Sequence, residues 1–183
     1  MPPTDRARKA AFLCCHFARN LAYYTAARKV LVLDKEGFWF TVAGNFVDAC
    51  ALEWCKLFGN LNDKYHWRNV FAQPDIFKQT LLKAHGLSEA ELEKLRKEIK
   101  DYRDGFVAHL DVTETTRVPS MSTPYLLVEF FYEKLLHEFE TLQSEASLPK
   151  HIDRYYDLHL KEAAEIFERN KTVASQNSSS QIA

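Results

Sequence analysis

Residues 36–58 read EGFWFTVAGNFVDACALEWCKLF, and this segment indicates which fold class the chain adopts. Its apolar side chains fall on almost every side of a helical wheel instead of on one stripe. A helix of that kind is buried in a protein core or in an interface. Gly59 follows directly and suits the position just after a helix C-terminus. The segment therefore predicts a buried helix over residues 36–58 within an all-α fold.

The composition of the whole chain also favours helices. Its 183 residues, of mass 21.3 kDa, include only 5 Gly and 6 Pro, too few for the many turns of an all-β sandwich. With 46% hydrophobic and 27% charged residues, the chain has the balance of a soluble globular domain. A formal charge of −1 excludes a strongly basic protein that coats nucleic acid, but it leaves room for a local basic patch.

Apolar side chains spaced three and four residues apart predict helices on both sides of this segment. Ser88-x-x-Glu91 is a capping box, and Pro74 suits the first turn of a helix. The predicted helices span 5–32, 36–58, 67–71, 74–86, 88–109, 123–144 and 149–171. We expect an elongated antiparallel bundle of about five to six long helices. One domain should cover residues 1–171, followed by a disordered tail over residues 172–183.

The N-terminal region does not fit a secretion signal or a membrane span. His16 and Arg19 interrupt its apolar stretch, and no apolar run approaches the roughly 20 residues that cross a bilayer. We therefore expect a cytoplasmic protein that does not associate with membranes. The four cysteines fit no zinc spacing and are predicted to be buried reduced thiols: Cys14, Cys15, Cys50 and Cys55.

Metal and cofactor binding have little support in the sequence. Glu133 with His137, and His159 with Glu162, each place a carboxylate and an imidazole on neighbouring helix turns. Neither pair comes with further matched ligands, and both also fit pairs on a helix surface. We expect no metal and no cofactor.

Two basic segments are candidates for binding RNA. Residues 1–30 carry six Lys and Arg residues against one acid, and Arg6, Arg8 and Lys9 could line a phosphate-binding groove. The alternative is a basic helix face that is solvated or paired with the acidic later helices. Residues 65–68, YHWR, combine aromatic faces with cations, so Tyr65, His66 and Arg68 are candidates for stacking on bases and holding phosphate. The alternative there is that Trp67 anchors the core and its neighbours form a polar border.

The densest group of chemically capable residues is DYRDGFVAHLD, residues 101–111. Arg103 supplies a permanent planar cation that suits a phosphate. His109 supplies a group that gains or loses a proton near neutral pH. Together with Asp104, they suit cleavage of a phosphodiester without a metal.

Arg103-Asp104-x4-His109 resembles the Arg-polar-x4-His motif of the HEPN superfamily, the higher eukaryotes and prokaryotes nucleotide-binding domains. The strings YRDGFVAHLD (102–111), WCKLFG (54–59) and HWR (66–68) are similar to its abortive-infection branch. The resemblance covers most of residues 5–170 and agrees with the all-helical layout. It implies a dimeric, metal-independent endoribonuclease of defence or toxin type.

The resemblance also implies roles for three residues in a cleft shared by two protomers. His109 assists attack of a ribose 2′-hydroxyl or protonates the leaving 5′-oxygen, and Arg103 stabilises charge on the phosphorane. Asp104 orients Arg103 or His109 by hydrogen bonding. The implied partners are a second copy of the chain, an RNA substrate, and an antitoxin or a nucleotidyltransferase.

Two other interpretations remain open at this point. The chain could be a HEPN-like binding or dimerisation module without catalysis, or a structural helical protein in which the Arg–His spacing is incidental. In the second case Arg103 would pair with Asp101 or Glu98, and His109 would cap the helix C-terminus. On an ideal α-helix Arg103 and His109 lie about 120° apart, so a shared site needs either a helix loosened at Gly105 or convergence through side-chain length and a dimer.

Overall fold

The computed structural model describes residues 3–30, 38–107 and 117–180, with side chains described for 3–29, 38–105 and 117–169. These residues form helices and contain no strand, which confirms the all-α prediction. The α-helices are α1 (Pro3–Val30), α2 (Phe38–Trp54), α3 (Trp67–Val70), α4 (Pro74–His85), α5 (Glu89–Tyr102), α6 (Ser122–Glu138), α7 (Glu140–Gln143) and α8 (Ile152–Ser180). Two π-helical segments, Cys55–Gly59 and Arg103–Val107, directly follow α2 and α5.

α1 lies at the centre of the packing and contacts α2, α6 and α8. Each of its seven alanines is at most 1% exposed: Ala7, Ala10, Ala11, Ala18, Ala22, Ala26 and Ala27. Because alanine projects only a methyl group, neighbouring helices approach the α1 backbone closely along these positions. The main apolar core draws buried residues from all eight of the α-helices described, which makes them one packed unit.

α2 is less buried than its sequence predicts. Its buried residues are Ala43, Val47, Cys50, Ala51 and Trp54, which follow one stripe along the helix. Other apolar side chains of the helix remain accessible: Phe38 is 71% exposed, Phe40 55% and Leu52 40%. The helix therefore has one face in the core and leaves large apolar side chains in contact with solvent.

The end of α2 also differs from the prediction. The α-helix gives way to the π-helical segment at Cys55, and Gly59 lies inside this segment with Asn60 as the capping residue. Gly59 is therefore not a left-handed residue beyond the helix. A Cβ atom at Gly59 would lie 3.1 Å from Cys55 Sγ and 3.2 Å from Cys55 Cβ, so close approach is what favours glycine there.

Local signals between residues 74 and 91 are all confirmed. Pro74 lies in the first turn of α4, and Gly86 ends that helix in the left-handed conformation with a φ of 61°. The Ser88 side chain accepts a hydrogen bond from the Glu91 backbone N–H, while the Glu91 carboxylate accepts one from the Ser88 backbone N–H. This capping box fixes the start of α5.

The last third of the chain departs from the predicted boundaries. The helix predicted over 123–144 ends at Glu138, and Phe139, outside the helical region of backbone space, separates it from α7. α8 begins at Ile152 and not at Pro149, whose carbonyl accepts a hydrogen bond from the Tyr132 hydroxyl. The tail predicted to be disordered from residue 172 continues α8 as helix through Ser180, because adding residues to an existing helix costs little. Residues 181–183 lie outside the described residues.

The cysteines and the apolar helices can both be compared with the predictions from the sequence. All four cysteines are buried and none forms a disulfide, as predicted. Burial raises the pKa of Cys15 to about 12 and that of Cys55 to about 11, so these thiols stay protonated at neutral pH. Across the described segments, no helix is both long enough and apolar enough to cross a membrane.

The close approach at Gly59 generates a matched pair of substitutions. Gly59→Ala should lower the free energy of unfolding by about 1–3 kcal/mol, because the buried Cys55 side chain must shift to admit a methyl group. Gly44→Ala should raise it by about 0.5–1 kcal/mol, because a Cβ at this position in α2 meets nothing within 4 Å and alanine favours a helix. Urea denaturation measures both values, and equal effects at the two glycines would contradict the close-approach explanation.

Candidate functional site

The Arg103 side chain is held by its neighbour Asp104 at the end of α5. Arg103 Nε donates to Asp104 Oδ1 over 2.7 Å, and Arg103 Nη2 lies 2.5 Å from the same oxygen. The Arg103 side chain is 15% exposed and that of Asp104 50%. Arg103 therefore pairs with Asp104 and not with Asp101 or Glu98, while the orienting role that the resemblance implies for Asp104 stays a prediction.

The backbone of this site is a π-helical segment, Arg103–Val107, that includes Gly105. The segment widens the helix at the position where the sequence left open a loosening by glycine. Such π-turns are rare and are frequent at functional sites. His109, the third residue of the motif, lies outside the described residues.

Tyr102 anchors this end of α5 to α2. Its hydroxyl donates to Asp48 Oδ1 over 2.5 Å, and its ring is buried. Burial and this hydrogen bond raise the pKa of Tyr102, while burial raises the pKa of Asp48 above its usual value. Burial disfavours the charged form of both groups, whereas the hydrogen bond from Tyr102 stabilises the Asp48 carboxylate and opposes the rise in its pKa. The contact fixes the position from which Arg103 projects.

The structure places His66 inside the core. Its Nδ1 accepts from the Arg68 backbone N–H over 3.2 Å, so Nε2 carries the proton and donates to the Phe58 carbonyl over 3.1 Å. The ring is fully buried, and burial lowers its pKa to about 4. His66 is thus a neutral N-cap of α3 that ties it to the first π-helical segment. A ring in this position is not available to stack on a base, which corrects the assignment of His66 to RNA binding.

The other residues of the 65–68 segment remain at the surface to different degrees. Tyr65 is half-buried, with Lys64 Nζ 5.0 Å from the centre of its ring. Arg68 is exposed and lies over the buried Trp67, with 5.8 Å between the guanidinium carbon and the ring centre. Trp67 is therefore a core anchor, and Arg68 is the cation of this segment that remains open to solvent.

Two of the three basic residues near the N-terminus contact other parts of the fold. Arg6 Nη1 donates to the Asn69 carbonyl over 2.8 Å and so contacts the α3 region. Arg8 Nε donates to Glu145 Oε2 over 2.7 Å and lies over Phe12. Lys9 is exposed. Arg6 and Arg8 therefore contact different parts of the fold, and the groove predicted for Arg6, Arg8 and Lys9 stays a prediction.

A polar cluster that the sequence reading missed lies between α1 and α2. Asn20 Nδ2 donates to Glu53 Oε2 over 3.2 Å, and His16 Nδ1 lies 3.6 Å from Glu53 Oε1. The Glu53 side chain is only 13% exposed, and burial raises its pKa to about 7. Burial lowers the pKa of His16. The available signal was the position of Glu53 in an otherwise apolar helix, since a buried acid needs polar partners.

Neither carboxylate–imidazole pair noted in the sequence gains further metal-type ligands among the described residues. His159 Nδ1 lies 2.9 Å from Glu162 Oε2, and the Tyr23 hydroxyl contacts both side chains. Glu133 and His137 are both exposed. Within residues 3–30, 38–107 and 117–180, no group of three or more His, Cys, Asp and Glu side chains comes together as metal ligands would.

Comparison of the chain with protein-family models, with curated proteins and with solved structures gave no match. The resemblance to HEPN domains therefore rests on the residues quoted from this sequence. The Arg103–Asp104 pair is the part of that motif whose geometry is described.

Glu53 should make the stability of the protein fall as pH rises. Its folded pKa of about 7 lies above the value near 4.5 of an unperturbed glutamate, so the folded state binds an extra proton between these values. The extra proton adds up to about 3 kcal/mol to the free energy of unfolding. This addition is fully present below about pH 4.5 and is lost as pH rises through about 7. Glu53→Gln should remove the loss, so the variant should exceed the wild type in stability at about pH 8.

Urea denaturation of both proteins between about pH 5 and pH 8 measures this difference. The exposed Glu98→Gln on α5 is the matched control and should show no comparable gain at high pH. A Glu53→Gln variant that tracks the wild type at every pH would show that the carboxylate is not destabilised by its burial.

Proposed function

We propose that this chain is a metal-independent endoribonuclease of defence or toxin type, with Arg103, Asp104 and His109 at the scissile phosphate. The observation that carries the proposal is the Arg103–Asp104 pair in a π-helical turn, where one carboxylate oxygen receives both Nε and Nη2. A guanidinium has five N–H donors, and the contacts with Asp104 use only part of that capacity. The pair presents an oriented cation of the kind that stabilises a phosphorane.

The proposed reaction is an internal displacement at phosphorus. The ribose 2′-oxygen forms a bond to the phosphorus, and the bond from phosphorus to the 5′-oxygen breaks. His109 either accepts the 2′-hydroxyl proton, with the 5′-oxygen taking its proton from water, or donates a proton to the leaving 5′-oxygen, with water accepting the 2′-hydroxyl proton. Either role is worth about 10²–10⁴ in rate. The products are a 2′,3′-cyclic phosphate and a 5′-hydroxyl, and no electron transfer or metal is needed.

The competing proposal is a non-catalytic HEPN-like module that binds a nucleotide or a partner protein. The low exposure of Arg103 favours this binding module, since its side chain is 15% exposed and already paired with Asp104. An antitoxin or a nucleotidyltransferase would then be the partner, as the resemblance implies. Assays for RNA cleavage separate the two proposals.

His109→Ala and Arg103→Ala should each remove most cleavage of a mixed RNA panel in the presence of EDTA. Lys94→Ala is the matched control. This exposed lysine belongs to α5 but lies on the opposite side of the helix from Arg103, about 180° around the axis. A 2′-deoxy nucleotide at the scissile position should also block cleavage, because it lacks the nucleophile. Activity should fall at low pH as a base with reference pKa near 6.5 is protonated.

Circular dichroism should accompany these assays, because the Arg103 side chain is largely buried and its removal also costs packing. Arg103→Lys, which keeps the charge but loses the planar fork, gives a second variant with a smaller volume change. Equal cleavage by the wild type and His109→Ala would refute the assigned site. Absence of cleavage by the wild type on every RNA would favour the binding module.

The proposed enzyme acts as a homodimer. The Phe38, Phe40 and Leu52 side chains are exposed, so α2 offers apolar surface that the described part of the chain leaves uncovered. An obligate interface buries more than about 2,000 Å² in total, which a long apolar helix and its neighbours can supply. Light scattering at micromolar concentration should therefore give twice the chain mass, and a monomer mass would contradict the proposal.

A further inference from the structure

Two cavities adjoin one another beside α5. The first cavity has a volume of about 410 Å³ and lies between α3, α4 and the N-terminal half of α5. Its lining includes Trp67, Arg68 and Arg96. The second, of about 570 Å³, is formed by residues 59–63 together with Arg96 and Lys100. Arg96 and Leu61 line both cavities, so the two are neighbours separated by those side chains. Cavities of a few hundred Å³ each suit a ligand about the size of one nucleotide.

The cations of these cavities continue toward Arg103 along one face of α5. Arg96, Lys100 and Arg103 are spaced by four and three residues, which places them within about 60° of one another, with successive residues about 6 Å and about 4.5 Å apart along the axis. Their fields act in pairs on two different buried groups. Arg68 and Arg96 lower the pKa of His66 beyond the effect of its burial, and Arg103 and Lys100 oppose the rise that burial causes at Cys55. Arg68 lines the first cavity together with Arg96, and Arg96, Lys100 and Arg103 follow one helix face; we call these four cations the α5 track.

The carboxylates of the two cavities are engaged by contacts within the fold. Glu89 pairs with Lys78 over 2.6 Å, and Glu93 pairs with Arg96 over 2.6 Å. Asp63 Oδ1 accepts from the Tyr65 backbone N–H over 2.9 Å. Arg96 Nη1 also reaches the Gly59 carbonyl, at 3.5 Å. The exposed cations Arg68 and Lys100 therefore give the track its positive character, at its start and at the step before Arg103.

The first cavity also has an apolar wall beside its cations. Leu61 is 42% exposed there, and Phe58, Trp67 and Leu92 complete this side. A flat apolar surface next to a guanidinium suits a nucleobase whose phosphate meets the cation. Unstacked bases of this kind are available in single-stranded RNA and not inside a duplex.

We propose that the α5 track binds single-stranded RNA, with a nucleotide in each cavity, Arg68 and Lys100 on its phosphates, and Arg96 between the two. The track leads the strand to Arg103, and this inference rests on the proposed ribonuclease function of that site. It assigns a binding role to Arg96 and Lys100, which lie outside both basic segments considered from the sequence. It also gives the exposed Arg68 a place in a continuous surface.

The test uses a fluorescein-labelled 2′-O-methyl oligouridine, which lacks the free 2′-hydroxyl and is not cleaved. Fluorescence anisotropy measures its Kd for the full chain and for Arg68→Gln, Lys100→Gln and the control Lys94→Gln. Lys94 undergoes the same change of charge on the same helix but lines neither cavity. Arg68→Gln and Lys100→Gln should each weaken binding roughly three- to tenfold. Each should also reduce the slope of log K against log salt by about 0.7, the value for one phosphate contact on a single strand.

The outcomes separate the track from the proposed chemistry. Loss of affinity in the two track variants but not in Lys94→Gln supports the track, even if the wild type cleaves no RNA. Unchanged affinity, or an equal loss in Lys94→Gln, overturns it, even if Arg103 and His109 prove necessary for cleavage. Circular dichroism of each variant confirms that it is folded, which is expected because all three side chains are exposed.

Discussion

The close packing of α2, α6 and α8 around the alanine-rich helix α1 is the constraint on which the other elements depend. A larger side chain at a buried alanine would push a neighbouring helix away from the α1 backbone, and the contacts between more distant elements would open with it. α2 is the most important of these neighbours for the candidate site. It bonds to α1 through Asn20 and Glu53, and it holds α5 through the hydrogen bond from Tyr102 to Asp48. The position of Arg103 thus depends on α1, because α1 positions α2 and α2 positions α5.

Signals that act over a few residues were readable from the sequence. The capping box at Ser88 and the helix end at Gly86 need only their immediate neighbours, so both were predicted correctly. The start of α8 was not, since the Tyr132 hydroxyl of α6 bonds to the Pro149 carbonyl ahead of it. Gly59 looked like a helix terminator because its close approach to Cys55 appears only when a π-turn has formed.

The same distinction applies to the candidate site. Arg103 and Asp104 are adjacent in sequence, so a pair between them required no knowledge of the fold. The burial of His66 depends on the Phe58 carbonyl, eight residues away, and the YHWR string gave no indication of it. Glu53 acquires its partners from α1, more than thirty residues earlier, and its unusual proton affinity follows from that distant contact. Residues whose chemistry depends on tertiary neighbours were therefore the ones that sequence reasoning misassigned or overlooked.

The four thiols of the core have a consequence for how this protein ages in an oxidising or alkylating environment. Each is at most 4% exposed, and burial raises the pKa of every one, so the native state presents neither an accessible sulfur nor a thiolate. Chemical damage at these positions must wait until the helices separate, and a modified sulfur would then hinder their return. The lifetime of the closed core, and not the intrinsic reactivity of cysteine, thus governs how long the chain stays undamaged.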